Sequence, residues 1–317
     1  MGCAWQNAAM HHLRIATRRS ALALWQANHV AALLRAAHPG LEVSLVPVVT
    51  QGDRIQDRPL AEVGGKGLFV KELELVLGRG EAELAVHSMK DVPADLPDGF
   101  VIAAALERAD PRDAFLSRRH AHFAALPRGA RIGTSSPRRH SILKSLRPDL
   151  EIAPLRGNVD TRLGRLRNGE LDAIVLAAAG LTRLGLAGEI TEYLEPEVSL
   201  PAVGQGIVGV ECRTDPAILK LLAPLEHAPT RTALTAERAF AERLQGSCQS
   251  PIAGFATLTG QRVHLRGLVG APDGGHVFQD RADGTVAEAA AVGRGLADRL
   301  LAAGAAQLLA KLRDAGA

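Results

Sequence analysis

At 317 residues the chain is long enough for two or three domains with ample core. Apolar residues make up 47% and charged residues 22%, an ordinary globular composition, while 3% aromatics leave too few rings for a base-stacking nucleic-acid platform. The net charge of +3 is mild, and no apolar run is long enough to span a membrane, which argues against a membrane partner.

Residues 1–12 lack a basic segment followed by an apolar one, so no signal peptide is read there. Met1-Gly2-Cys3 has the start of an acylation site, but Gln6 stands where Ser or Thr is needed, and the stretch reads as a loose extension. Leu13 to Thr17 reads as a strand. Ser20 can cap the helix that follows, whose apolar residues Leu22, Trp25, Val30, Leu33 and Leu34 keep near-helical spacing. Pro39-Gly40 ends it, and Leu41 to Val49 reads as a buried strand. This β-α-β order predicts a parallel sheet. Arg18 and Arg19 lie in the strand-to-helix turn, a place that favours ligand binding over plain solvation.

Residues 52–67 form a long polar connection ending in Gly64-Gly65-Lys66-Gly67. It is not a phosphate-binding Walker loop, since Leu60 replaces the upstream glycine and Gly67 the Ser or Thr. A helix is expected over 68–77. In the stretch Leu84-Ala85-Val86-His87-Ser88-Met89-Lys90-Asp91-Val92-Pro93 a short apolar run, read as a strand, ends and is followed at once by a lysine and an aspartate. Lys90 and Asp91 thus follow the carboxyl end of a strand, where open α/β sheets bind ligands. A strand over 101–106 and a boundary at Asp110-Pro111-Arg112-Asp113 come next.

The following region echoes the first. Arg131-Ile132-Gly133-Thr134 repeats Arg14-Ile15-Ala16-Thr17, and Gly169 to Val175 repeats Gly80 to Val86. Two α/β units of similar build are expected. Thr134-Ser135-Ser136-Pro137 has the chemistry of a helix start. Arg138 and Arg139 then fall in the first turn, where cations oppose the helix dipole, so something negative is expected beside them. From Arg131 to Arg167 nine Lys/Arg face only three acids, Asp149, Glu151 and Asp160, which points to a ligand with carboxylate or phosphate groups. A second helix carries Arg162, Arg165 and Arg167 and closes at Asn168-Gly169.

Leu200 to Gly206 reads as a hinge. The strand from Ile207 to Val210 is expected to return to the first sheet, placing a ligand cleft between the lobes. A helix over 233–244, strands over 252–258 and 263–269, and a long closing alanine-rich helix describe a third, α+β unit. Of three cysteines, Cys3, Cys212 and Cys248, none forms a CxxC pair, so no zinc or redox centre is expected and the set fits a reducing compartment. Cys212 looks structural. Cys248, in the loop Ser247-Cys248-Gln249-Ser250-Pro251, reads from its local sequence as a small buried residue before it reads as a nucleophile.

Seven segments, in order, carry a resemblance: Arg14 to Ser20 with Ala23-Leu24-Trp25-Gln26, Val63 to Lys71, Val86 to Pro93, Gly133 to Arg139, Leu155 to Arg162, Leu200 to Cys212, and Gly246 to Ile252. On these the chain resembles porphobilinogen deaminases, also called hydroxymethylbilane synthases, from about Leu13 to the last helix. The resemblance implies two similar periplasmic-binding-protein-like α/β lobes around a central cleft, plus a small α+β domain. The expected division is 13–106 with 207–224, then 112–200, then 228–317, with hinges at 106–112 and 198–206 that let the cleft open.

The implied activity is that of a transferase. It joins four porphobilinogen molecules head to tail with loss of ammonia, on one covalent dipyrromethane primer per chain, giving hydroxymethylbilane. Cys248 is implied as the primer's thioether anchor and Asp91 as the catalytic acid group. Lys90, Ser135, Arg138, Arg139 and Arg156 are implied as primer contacts. Arg18, Ser20, Gln26, Thr134, Ser136 and Arg162 are implied as substrate contacts. The residue types suit the chemistry. Each porphobilinogen carries two carboxylates for the arginines, and a fixed carboxylate can hold pyrrole N–H groups and stabilise the ring cation formed as ammonia leaves. The chain departs from the family at Glu62, where many relatives are basic, and at Pro137, where leucine is usual. A monomer in the cytoplasm, with no metal and no nucleic-acid partner, is expected. The competing reading, a non-enzymatic two-lobed anion-binding protein of periplasmic type, leaves Cys248 and the Lys90-Asp91 pair without a task.

Overall fold

A computed structural model of the chain describes residues 11–54, 67–246 and 250–315. The first sheet has five strands: β1 (His12–Arg18), β2 (Glu42–Val48), β3 (Leu84–Ser88), β4 (Phe100–Ala105) and β10 (Val208–Arg213), in the order β2-β1-β3-β10-β4. The second also has five: β5 (Asp113–Ser117), β6 (Arg131–Gly133), β7 (Glu151–Ala153), β8 (Ala173–Ala177) and β9 (Glu192–Leu194), in the order β7-β6-β8-β5-β9. The two orders are the same pattern. In each, three strands run parallel, and the fourth is an antiparallel strand that has just crossed from the other lobe.

The sequence echo has a structural counterpart. Arg14 and Arg131 lie on β1 and β6, the second strands of their sheets. The Arg14 amide donates to Glu83 Oε2 (2.8 Å) and the Arg131 amide to Asp172 Oδ2 (2.8 Å). An acidic residue just before each third strand thus fixes the same register twice.

Both sheets are covered on both faces, as mainly parallel sheets must be. In β1, Leu13 and Ile15 pack with Val30 and Leu34 of helix α1 (Ala21–Ala37), while Ala16 faces Leu73 and Leu77 of α2 (Lys71–Gly78). In β5, Phe115 packs with Ile132 of β6 and Leu143 of α3 (Pro137–Leu146), while Leu116 packs with Leu163 of α4 (Val159–Arg167). Period-two alternation feeds two cores per lobe.

β10 enters the middle of the first sheet, between β3 and β4 and antiparallel to both, as the apolar run after Gly206 predicts. The crossover leading to it is tightly seated. Gly204 has φ +70°, and a Cβ there would lie 2.8 Å from the Met89 side chain. Gly206 has φ +87°, and a Cβ there would lie 2.5 Å from the Ala109 carbonyl oxygen on the other crossover. Only glycine permits both the backbone angle and the approach.

The third domain packs α7 (Ala228–Arg243) and α8 (Ala289–Leu300) on a three-stranded antiparallel sheet, β11 (Ile252–Thr259), β12 (Arg262–Gly270) and β13 (Val277–Thr285), around Phe240, Leu265 and Leu296. Within the second lobe, α5 (Ala178–Arg183) follows β8 and packs in its core, while α6 (Pro216–Leu222) follows β10 and packs on the first sheet. Two expectations fail here. β13 was not foreseen, because its sequence, Val-Phe-Gln-Asp-Arg-Ala-Asp-Gly-Thr, is polar at most positions and forms the outer strand. The closing helix is broken at Gly304, whose φ of 120° lies outside the helical region, leaving α9 (Ala306–Ala315) as a separate piece. Among the described residues, no helix is long and apolar enough to cross a membrane.

Candidate active site

β3 ends at Ser88 and the chain turns at once through a single 3-10 turn, Met89–Asp91. Met89 is the anchor. It is buried, and its amide donates to the Ile207 carbonyl (3.0 Å). The turn therefore presents Lys90 and Asp91 from a backbone fixed on both sides. Both line a cavity of about 650 Å³ where the two lobes and the third domain meet.

From the first lobe, Arg18 enters at the end of β1. Its guanidinium lies 4.1 Å from the centre of the Phe69 ring and is paired with Asp53. Burial pushes the Asp53 carboxyl up, but Arg18 outweighs it and the group sits below its ordinary range. Ser20 lines the cavity and caps α1, its Oγ accepting from the Ala23 amide (3.3 Å). Gln26 does not line the cavity. It is 2% exposed and donates to Ser88 Oγ (2.8 Å), so it supports the active turn from behind rather than facing a ligand.

The second lobe supplies the opposite wall: Thr134, Ser135, Ser136, Arg138, Arg139, Arg156 and Arg162. The hydroxyls organise the backbone. Thr134 Oγ1 accepts from the Ser136 amide, Ser135 Oγ from the Leu155 amide, and Ser136 caps α3 by accepting from the Arg139 amide. Each keeps an O–H to aim elsewhere. Arg162 in α4 spends its Nε on the Gly157 carbonyl (2.8 Å). Burial, then Arg139, lower it to about 10 against the pull of Asp91. Lys90 is lowered by a similar amount, to about 8. Burial is the main cause; Asp91 and Asp113 oppose it, while Arg139 and Arg162 add to it.

The negative charge expected beside Arg138 and Arg139 comes first from the chain itself. Both pair with the fully buried Asp113 of β5, at 2.8 and 2.7 Å. The sequence marks Asp113 only as part of a boundary.

Two further cations escaped the sequence reading. Arg238 of α7 lines the cavity and donates to the Ala94 carbonyl (2.7 Å), and burial lowers it. Arg183 of α5 donates to the Gly206 carbonyl (2.7 Å), lies over the Trp25 ring, and is lowered to about 10 by burial. Neither sits in a local motif, so no signal short of the fold could find them. Cys248 lies outside the described residues, as do Glu62 and the Gly64-Gly65-Lys66 run. The neighbours of the Cys248 loop, Gly246 and Ser250, both line the cavity. Cys212 is fully buried in β10, and burial pushes its thiol up to about 11.

Solved structures similar to this chain are remote. The periplasmic VFT2 domain of BvgS from Bordetella pertussis shares 16% identity over 68% of this chain and 87% of that chain, with a TM-score of 0.42. The periplasmic aliphatic sulphonate binding protein SsuA from Escherichia coli shares 13% over 75% and 71%, with a TM-score of 0.41. At these scores nothing about ligand or activity passes to this chain. Two family models match directly: "Porphobilinogen deaminase, dipyromethane cofactor binding domain" over residues 13–220 and "Porphobilinogen deaminase, C-terminal domain" over residues 231–302. Matched by both models in order along most of its length, the chain belongs to the porphobilinogen deaminase family, transferases of tetrapyrrole synthesis that work with a dipyrromethane cofactor.

Proposed function

We propose that this chain is a hydroxymethylbilane synthase that uses Asp91 as its catalytic group and Cys248 as the anchor of its primer. The residues present fit such a primer. Arg138 Nε is a buried donor with no partner among the described residues, in a side chain that lines the cavity, and an acidic ligand supplies what it lacks. The volume of about 650 Å³ lies in the range of sites for ligands of this size. Bound there, dipyrromethane supplies the pyrrole carbon to which the first substrate is joined.

The protein's own part is electrostatic. Asp91 faces the cavity and makes no side-chain hydrogen bond among the described residues, so its oxygens are available to pyrrole N–H groups. A carboxylate fixed there stabilises the positive charge that builds on the substrate ring as its amino group departs as ammonia. It is also placed to take up the proton released when the ring regains aromaticity. Lys90, Arg138, Arg139, Arg156 and Arg162 hold carboxylates of the pyrroles, with Arg18 and Ser20 on the facing lobe. Ser135, Ser136 and Thr134 add O–H donors. Gln26 acts through Ser88. The same proposal takes the enzyme as a cytoplasmic monomer, supported by a cysteine set suited to a reducing compartment.

The observation that carries this reading is the meeting, in one cavity, of an uncommitted acid group from one lobe and an arginine wall from the other. Intact mass of wild type and Cys248→Ser, with an Ehrlich colour test, checks the anchor. Wild type is expected to carry the extra mass of two pyrroles and the variant none. Asp91→Asn is expected to fold and keep its primer while turnover falls by about a hundredfold or more, the usual loss of one charge-stabilising group. Normal turnover in that variant removes Asp91 from the mechanism. Binding of porphobilinogen by a wild-type chain without added mass and without ammonia release would favour the non-enzymatic reading.

A further inference from the structure

We propose that Asp113 is the positioning residue of the arginine wall: its carboxylate sets the direction of Arg138 and Arg139, ties both to the two segments that cross between the lobes, and holds the charge balance around Lys90. This rests on the proposed function, since it concerns how that site holds acidic pyrroles.

Asp113 opens β5, directly after the first crossover, and is fully buried. Its Oδ1 accepts from Arg138 Nη2 (3.0 Å), Arg139 Nε (3.0 Å), Arg139 Nη2 (2.7 Å) and Gln205 Nε2 (3.0 Å). Its Oδ2 accepts from Arg138 Nη1 (2.8 Å) and Ser199 Oγ (2.7 Å). Ser199 and Gln205 belong to the second crossover, so one carboxylate binds both crossovers to the wall of the cleft. Arg138 is further fixed by donating to the Leu200 carbonyl (2.6 Å) and Arg139 by donating to the Val175 carbonyl (3.1 Å).

The charge arithmetic makes this more than a fold contact. Two guanidiniums, 3% and 6% exposed, stand in the first turn of α3, against its dipole. Unpaired, they would repel each other and resist burial. One carboxylate lowers the trio to a single positive charge, enough to demand one acidic ligand group and too little to expel the helix end. Burial pushes the Asp113 carboxyl up, but Arg138 and Arg139 outweigh it and hold it well below the usual carboxylate range, so its charge persists. The same charge reaches Lys90. The charges acting most strongly on that ammonium are those of Asp91 on its own turn, Arg139 on α3, Asp113 on β5 and Arg162 on α4. Removing Asp113 leaves one acid against two arginines.

The test compares full-length wild type, Asp113→Asn and Asp113→Glu by intact mass, for primer occupancy, and by kcat and KM for porphobilinogen across pH. Asp113→Asn is expected to lose primer occupancy and to raise KM about tenfold or more, with kcat of the primed fraction changed much less. Its alkaline limb in kcat/KM should move toward neutrality by roughly half a pH unit, because Lys90 loses a supporting charge. Asp113→Glu keeps the charge but displaces it, so its limb should stay at the wild-type position while KM stays raised. A merely structural carboxylate would change stability and leave both the limb and KM of the folded fraction where they were. That result in Asp113→Asn overturns the proposal. Should that variant not fold, a wild-type KM in Asp113→Glu overturns it instead. Failure of the functional reading looks different: wild type itself then carries no primer mass and consumes no porphobilinogen.

Discussion

Raising the pH should weaken substrate binding while one strain on the fold relaxes, and Lys90 is the cause of both. Burial holds its ammonium near a pKa of about 8, against an ordinary value of 10.5. At pH 9 only about one free site in ten still carries that charge, so binding of a carboxylate that Lys90 holds should fall about tenfold per pH unit above 8. A bound carboxylate favours the ammonium, so the limb belongs to kcat/KM, which reports the free enzyme, and should be displaced or absent in kcat. The stability effect has the opposite sign. The folded pKa lies below the unfolded one, so between about pH 8 and 10.5 the unfolded chain binds more protons. Over that window the contribution of Lys90 to folding free energy improves as pH rises. The assay is kcat/KM against pH for wild type and Lys90→Arg, beside denaturant midpoints of both. A guanidinium titrates well above an ammonium, and even the buried Arg162 of this cavity is held at about 10, so Lys90→Arg should move the limb up to about pH 10 or beyond even if its plateau is lower. A flat wild-type profile from about pH 7 to 10, or the same limb in Lys90→Arg, refutes the assignment of this titration to Lys90.

Two further predictions concern the frame of the site. Glu237 of α7 is fully buried and accepts from Arg108 on both oxygens (2.8 and 2.7 Å), from the Gly204 amide (2.7 Å) and from the Ala256 amide (2.8 Å). Glu237→Ala leaves the part-buried Arg108 guanidinium without its carboxylate and two amides unpaired and should cost about 3–5 kcal/mol in equilibrium denaturation; a loss under about 1 kcal/mol would show that water replaces the carboxylate. Cys212, with its thiol pushed up to about 11, should resist alkylation in the native protein at mildly alkaline pH and react only once denaturant is added. Peptide mapping that finds Cys212 modified as fast as an exposed thiol would contradict its burial.

What the sequence discloses about this molecule is mostly local. Ser20 and Ser136 declare their helix starts, Pro137 sits where proline is tolerated, and the apolar run after Gly206 declares β10, because each signal depends on a few adjacent residues. The outer strand β13 hides because nothing in its polar sequence demands burial. The cavity's cations are legible where they stand in clusters, as from Arg131 to Arg167. They are illegible where they arrive singly, as Arg238 does from the third domain. Least legible are the partnerships. Asp53 meets Arg18 across 35 positions, and Asp113 meets Arg138 across 25 and Gln205 across 92. No periodicity encodes such pairs, since they exist only once separate elements have been brought together. Helix dipole and charge excess mark a need for negative charge at Arg138 and Arg139, and part of that need is met by Asp113 from within the chain.

The place of β10 has a consequence for how the polypeptide is made. The slot between β3 and β4 is filled by a segment synthesised about a hundred residues after β4, once the whole second lobe has left the ribosome. Until then two sheet edges stand open, each able to pair with a stranger. A fragment ending before Val208 cannot close its first sheet, whereas adding the missing stretch as a separate peptide offers it the strand it lacks.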